Sequence, residues 1–255
     1  MSVQVYENFV LENKINDILM TKLDMYQFAT KDESLALTEG MKKVVNVYTA
    51  SGNVEDLAMG QGNTGDIGVA FETKEYDIMT TQGRFPYFDE QAMTDSVAID
   101  TGIRGLTDTM TNDLTTKVVN ELKKATLTTA FGVDFNSIVD AIGKYPYEVE
   151  DGLFLIVSQE DKAEMRKALG DDLKYVEAFA RTGYIGSVAG VPVYFSKAIP
   201  QGEAYLATKE AITIFVKKGV EVEQERDADK RQNTVYARKY MVVALTDATK
   251  VVKLA

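Results

Sequence analysis

Two residue types that carry much of protein chemistry are missing: the 255-residue chain contains no histidine and no cysteine. Without histidine there is no imidazole general base, no Ser-His-Asp or Cys-His arrangement, and no His-ligated metal. Without cysteine there are no disulfides, thiolate nucleophiles, iron–sulfur clusters or Cys-ligated zinc, a composition that suits a reducing compartment. Any catalysis would fall to carboxylates, Lys, Tyr, Ser or Thr. No apolar run approaches the roughly 18 residues of a membrane span, so no membrane partner is expected. The opening MSVQVYENFVLEN lacks the basic patch and apolar block of a secretory signal. Positive charge is scarce as well. Lys and Arg number 28 against 39 Asp and Glu, for a net charge of −11, which gives no general attraction for a phosphate backbone. What is present, 45% hydrophobic and 26% charged residues, is ordinary for a globular chain that buries a core.

The stretch GQGNTG, Gly60 to Gly65, has the G-x-G-x-x-G spacing of dinucleotide-binding loops. That mechanism needs a buried strand running into the first glycine and a helix starting at the last. Here NVEDLAM, with two adjacent acids, precedes it. DIGVAFETKEYDIMTTQ follows, setting Ile67, Val69 and Phe71 against Gly68 and Ala70, with Thr73 and Glu75 continuing the period of two. Together with the β-branched MKKVVNVYTAS, the pattern predicts strand, loop, strand. The glycines are the tip of a long β-hairpin, where Gly and Asn supply positive φ at low cost. Nucleotide binding is therefore not expected.

Helical spacing is strongest after QGRFPYFDEQAMTD. From Ile99 the apolar series runs through Ile103, Leu106, Met110, Leu114, Val118, Leu122 and Ala125. One helix over 97–125 would be roughly 43 Å long, and Gly102 and Gly105 leave open a break into two shorter helices. At the N-terminus, YENFVLENKINDILMTKLDMYQF places Leu11, Ile15, Ile18, Leu19 and Leu23 on one helical face. That face packs either on the chain's own core or, as an arm, on a neighbouring subunit. DFNSIVDAIGKY predicts a helix capped by Asp134. GLFLIV predicts a buried strand. SQEDKAEMRKALG predicts a helix with a Ser158–Asp161 capping box and Gly170 at its end, and DLKYVEAFAR a further helix. Strands are expected over GVPVYFS, EAYLA, AITIFV, VEVEQER and TVYARKYMVVAL, parted by PQG, KKG and DADKRQN, with TKVVKL closing the chain. Helices among strands make the fold class α+β.

Carboxylates gather in FDEQAMTD (Asp89, Glu90, Asp95), EVED (Glu148, Glu150, Asp151) and VEVEQERDAD (Glu221, Glu223, Glu225, Asp227, Asp229). Such groups serve glycoside hydrolysis or hold Mg²⁺ in some proteins. Here Glu221, Glu223 and Glu225 alternate along a strand and share its solvent face, which is a structural arrangement. Tyr and Phe in FPYF anchor a joint. No catalytic constellation, cofactor site or metal site is expected.

The order of parts, carried by YENFVLENKINDILMTKLDM, EGMKKVVNVYTASGNVEDLAMGQGN, TTQGRFPYFDEQAMTDS, IRGLTDTMTNDLTTKVVNEL and the long C-terminal stretch from GVPVYFS, resembles the major capsid proteins of tailed phages with the HK97-type fold. The resemblance covers nearly the whole chain. It implies an N-terminal arm (1–35), an extended β-hairpin loop (36–85), a peripheral domain with a spine helix (86–125 and 211–242) and an axial domain (126–210 and 243–255). It further implies a homo-oligomer of pentamers and hexamers that encloses DNA, contacting it non-specifically, within a virion made in the host cytoplasm. A separate scaffolding protein and a portal would be partners. Inter-subunit contact would fall to Phe9, Leu11, Ile15 and Leu19 of the arm and to Met59, Gly60, Gly62 and Gly65 of the loop. Lys42, Lys43 and Lys74 lie in or near the hairpin, yet no motif marks an Asn partner, so no crosslink is expected. Two other readings share some of these features: an encapsulin-type nanocompartment shell, and a soluble carboxylate- and Mg²⁺-dependent hydrolase.

Overall fold

The computed structural model describes residues 4–7, 25–36, 39–94, 96–132, 134–148, 152–168 and 186–255. Strict alternation in QNTVYARKYMVVAL gives β12, Gln232–Leu245, whose side chains alternate between buried and half-buried along nearly its whole length. It sits between two antiparallel neighbours, β11 (Ile212–Asp227) and β5 (Met79–Phe88). The other edge of β11 carries β1 (Gln4–Glu7) near one end and the parallel β2 (Thr30–Asp32) near the other. AITIFV and VEVEQER, expected as two strands parted by KKG, form this one strand. The ladder absorbs Lys217 to Val220 as a register shift between Val216 and Glu221, as a β-bulge does.

Three further expectations change in this region. Tyr6 and Glu7 belong to a strand rather than opening a helix, and Met25–Phe28 is a short 3-10 turn with Met25 and Phe28 buried. The stretch 66–82 is not one strand. It divides at Ile78, after which FPYF forms part of β5 rather than a joint. Pro86 is tolerated there because β5 is the edge of its sheet. The remaining N-terminal positions, Gly170 and DLKYVEAFAR lie outside the described residues.

The long helix, Ser96–Leu122, is continuous through Gly102 and Gly105 and spans about 40 Å. Its first half places Ile103, Leu106 and Met110 on Val222, Val235 and Ala237 of the sheet. Its second half sends Leu114, Val118, Val119 and Leu122 into a larger core with Phe28, Phe154, Ile214 and Met241. Gly102 is needed because the Phe85 ring occupies the place of a Cβ, and Gly83 on β5 makes room for Leu106 in the same way. Threonine is a weak helix former, but six of them (Thr101, Thr107, Thr109, Thr111, Thr115, Thr116) each donate to the carbonyl four residues back, at 2.8–3.0 Å. Buried Thr107 is satisfied in this way.

A second sheet runs β6 (Leu127–Thr129), β13 (Val251–Leu254), β10 (Ala204–Thr208), β7 (Leu153–Val157), β9 (Val191–Phe195), β8 (Ser187–Val188). The unbroken apolar run of β7 follows from its central place. Phe154 and Ile156 face the core shared with the long helix, while Leu153, Leu155 and Val157 face a core completed by Ile138, Ala141 and Met165. Those three residues come from helices Phe135–Ile142 and Gln159–Ala168. Asp134 caps the first through the Ser137 amide. Ser158 and Asp161 form the expected box on the second, with the Asp161 amide donating to Ser158 Oγ at 3.0 Å. Fully buried Asp161 also accepts from the Gly202 amide at 3.1 Å, tying the helix to the PQG turn.

Candidate assembly surface

Strands β3 (Lys42–Ser51) and β4 (Gly68–Asp77) pair along ten residues, from Lys42 opposite Asp77 to Ser51 opposite Gly68. At about 3.3 Å per residue the ribbon is about 33 Å long. Its root is fastened to the body. Ile78 is buried and its amide donates to Met41 O at 2.7 Å. The Tyr76 ring stacks on Phe215 with centroids 5.6 Å apart, and Lys43 lies over the same ring while pairing with Asp32 at 3.1 Å. Lys217 donates to Gly40 O at 2.6 Å.

Polarity falls away from the root. Lys42 meets Glu75 at 3.1 Å, and Thr73 donates to Asn46 at 3.0 Å. Beyond these, Phe71, Val69 and Ile67 lie at alternate positions and are 70%, 66% and 63% exposed. Val44, opposite Glu75, belongs to the same face. All six residues from Gly68 to Thr73 are exposed. The period-two pattern in the sequence marks this face, but it is the structure that leaves the face uncovered by its own chain among the described residues.

The tip brings together the four sequence-predicted loop residues. Met59 is fully exposed, and Gly60 turns the chain at φ +87°, beside a Gln61 amide that donates to Ala58 O. Of the expected glycines only Gly60 uses the left-handed region; Gly62 has open space around it and Gly65 lies against Glu55. Glu55 crosses the loop to accept from the Thr64 amide at 2.9 Å and hydroxyl at 2.6 Å, bonds that hold its carboxyl below the usual range. Val54 and Leu57, not singled out from sequence, join Met59 as exposed apolar side chains. Phe9, Leu11, Ile15 and Leu19 lie outside the described residues.

Carboxylates of the FDEQAMTD and VEVEQERDAD clusters are held by partners within the fold. Asp89 accepts from Arg226 at 2.8 Å and Asn233 at 2.6 Å, and the Arg226 bond above all keeps its carboxyl below the usual range. Glu90 pairs with Arg231 at 3.1 Å. Glu221, Glu223 and Glu225 do share one face, but they are half-buried rather than solvent-facing. Glu223 is held by Arg238 across the ladder, and Glu225 accepts from the Tyr236 hydroxyl at 2.9 Å. Among the described residues no group of three or more Asp or Glu is placed to hold a metal. Asp95, Glu150 and Asp151 lie outside them.

The family model described as phage capsid protein matches residues 71–254, from the exposed face of β4 to the end of β13. The chain belongs to the phage capsid protein family. A major capsid protein of Staphylococcus phage phiMR11 is 24% identical over 250 residues, covering 92% of this chain and 88% of that protein. A solved structure from Mycobacterium phage Che8 matches with a TM-score of 0.68 at 16% identity, over 100% of this chain and 92% of that one. A virus-like particle from Pyrococcus furiosus matches with a TM-score of 0.68 at 12% identity, over 97% and 98%. Identities this low speak to fold alone, which is α+β of the HK97 type. A virus-like particle shares that fold, so it is the family match that places the chain among phage capsids. This capsid protein is a structural subunit of a phage head shell, a homo-oligomer of many copies, and its place is the virion.

Proposed function

We propose that the capsid protein completes itself by laying its β3–β4 hairpin over a neighbouring copy. The observation that carries this reading is the exposed apolar face, Ile67, Val69 and Phe71, on a ribbon whose fastenings to the body, among the described residues, lie at its root. A two-stranded hairpin is marginal in water by itself, and burying that face at about 25 cal/mol per Å² favours association. The contact is head-to-tail, so copies close into rings. Met59, Gly60, Gly62 and Gly65 meet the neighbour from the loop, and Phe9, Leu11, Ile15 and Leu19 from the arm.

In this reading residues 1–35 are the arm and 36–85 the extended loop. Residues 86–125 with 211–242 form the peripheral domain, and 126–210 with 243–255 the axial domain that gathers into pentamers and hexamers. The protein has no catalytic role. A separate scaffold and a portal guide assembly, and the packaged DNA is contacted non-specifically, in keeping with a charge of −11 that gives no grip on phosphates. Deleting Asn53 to Gly65 leaves a short connection between paired strands, so the subunit keeps its circular dichroism while shells disappear from negative-stain images. Normal shells from that deletion overturn the reading.

A further inference from the structure

The hairpin has an unusual charge pattern. Between Val44 and Thr73 it carries four carboxylates, Glu55, Asp56, Asp66 and Glu72, and no Lys or Arg. Its tip also exposes Val54, Leu57 and Met59. Whatever receives it must therefore be both apolar and cationic, since desolvated like charges across an interface are costly.

The chain has such a surface elsewhere. A groove of about 620 Å³ runs between the middle of the long helix, at Thr111 and Thr115, and the end of β9, at Phe195 and Lys197. This volume lies within the range of sites that enclose several apolar groups. Phe195 is half-exposed in it, and the Lys162 ammonium stands 4.7 Å from the centre of its ring. Burial, and then the nearby Arg166, lower the Lys162 pKa, so the charge there is short of a counterion. Among the described residues, Arg166 is the charged group that acts on Lys162, and no carboxylate does.

We infer that this groove is the receptor for the hairpin tip of a neighbouring copy, with Val54, Leu57 and Met59 entering it and Asp56 and Asp66 meeting Lys162 and Lys197. The inference rests on the hairpin-docking reading above and gives it an address. A tip cannot fill the groove of its own chain. The Phe28 ring packs edge-on against that of the groove residue Tyr194, centroids 4.7 Å apart, and Phe28 lies four residues before Asp32, which pairs with Lys43 at the hairpin root. The groove thus lies within a few residues' reach of the root, while the tip stands about 33 Å from that root on a paired ribbon.

Because the chain is free of cysteine, an engineered disulfide reports contact without background. Asp56→Cys with Lys197→Cys, assembled and oxidised, gives a ladder of dimers, trimers and larger species on a non-reducing gel, whereas each single variant stops at dimers. Assembled shells without a ladder overturn the assignment. Charge reversal supplies the second measurement. Lys162→Glu with Lys197→Glu lowers shell yield about tenfold or more with unchanged circular dichroism, and adding Asp56→Lys with Asp66→Lys restores it. If the reversed groove assembles normally, or the reciprocal change restores nothing, the groove belongs to no hairpin and the inference falls. These outcomes are distinct from failure of the underlying reading. Shells from the Asn53–Gly65 deletion remove hairpin docking altogether. Normal assembly of the Lys162→Glu, Lys197→Glu variant alongside a deletion that fails removes only the groove.

Discussion

Strands β7 and β4 both place apolar side chains at alternate positions, and these have opposite fates. In β7 every residue from Leu153 to Val157 is buried, with alternate side chains feeding two cores. In β4 the residues from Gly68 to Thr73 are all exposed, although Val69 and Phe71 alternate just as regularly. The residues differ, since β4 also carries Glu72, Lys74, Glu75 and Asp77, but for the apolar positions the difference lies in the neighbours. The sheet around β7 supplies a strand on each side and helices or a second core on both faces, while the ribbon supplies only its own partner strand. One region is complete within a single subunit, and the other, in the docking proposed above, is completed by another subunit.

The sharpest way to break that contrast is to cut into both strands. Leu155→Ala empties a site in the β7 core and lowers the stability of the unassembled subunit by about 2–5 kcal/mol, read from chemical denaturation. Less costly is the charge inside the helix–sheet interface. Lys239 is buried and donates to Met110 O at 2.9 Å, and burial lowers its pKa to about 8. Below pH 8 the ammonium is charged in both the folded and the unfolded chain, so burial counts fully against the fold. From pH 8 towards 10.5 the folded side chain releases its proton first, and stability rises by up to about 3 kcal/mol. Lys239→Met removes this slope; a wild-type stability curve flat over that range, relative to the variant, contradicts the assignment.

Two glycines of one helix sharpen the comparison on a finer scale. Gly102→Ala meets the Phe85 ring and costs about 1–2 kcal/mol, overpacking outweighing the helical gain. Gly105→Ala enters open space and stabilises by about 1 kcal/mol. Thermal melts of the pair should move in opposite directions. Smallest of all is the effect of Val69→Ala on the free subunit, within about 0.5 kcal/mol, although shell yield falls. A loss of subunit stability comparable to that of Leu155→Ala would mean that the face is not the free surface described above.

What could be read from sequence follows from how local each signal is. The long helix announced itself because its apolar residues recur every three or four positions over seven turns, and β7 because a strand buried on both faces has no polar interruption. Asp134 and the Ser158–Asp161 box act within three residues and were legible for that reason. Strands β1, β2 and β6 are only three or four residues long and exist by pairing with distant partners, as Thr30–Asp32 does with Thr213–Phe215, so nothing local marks them. KKG looks like a terminator, yet β11 continues through it because β12 holds both sides of the bulge. At the candidate surface the tip glycines were visible, whereas the root contacts of Tyr76 with Phe215 and of Lys43 with Asp32 join segments far apart in the chain.

Ile78 marks the point where an exposed ribbon becomes a paired, covered strand, and the fastening around it is narrow. A ribbon about 33 Å long turns a tilt of roughly 5° at that pivot into a displacement of roughly 3 Å at its far end. In the docking proposed above, identical chains would adjust their reach by such a tilt without repacking any interior, and a single sequence would tile a surface whose curvature varies from place to place.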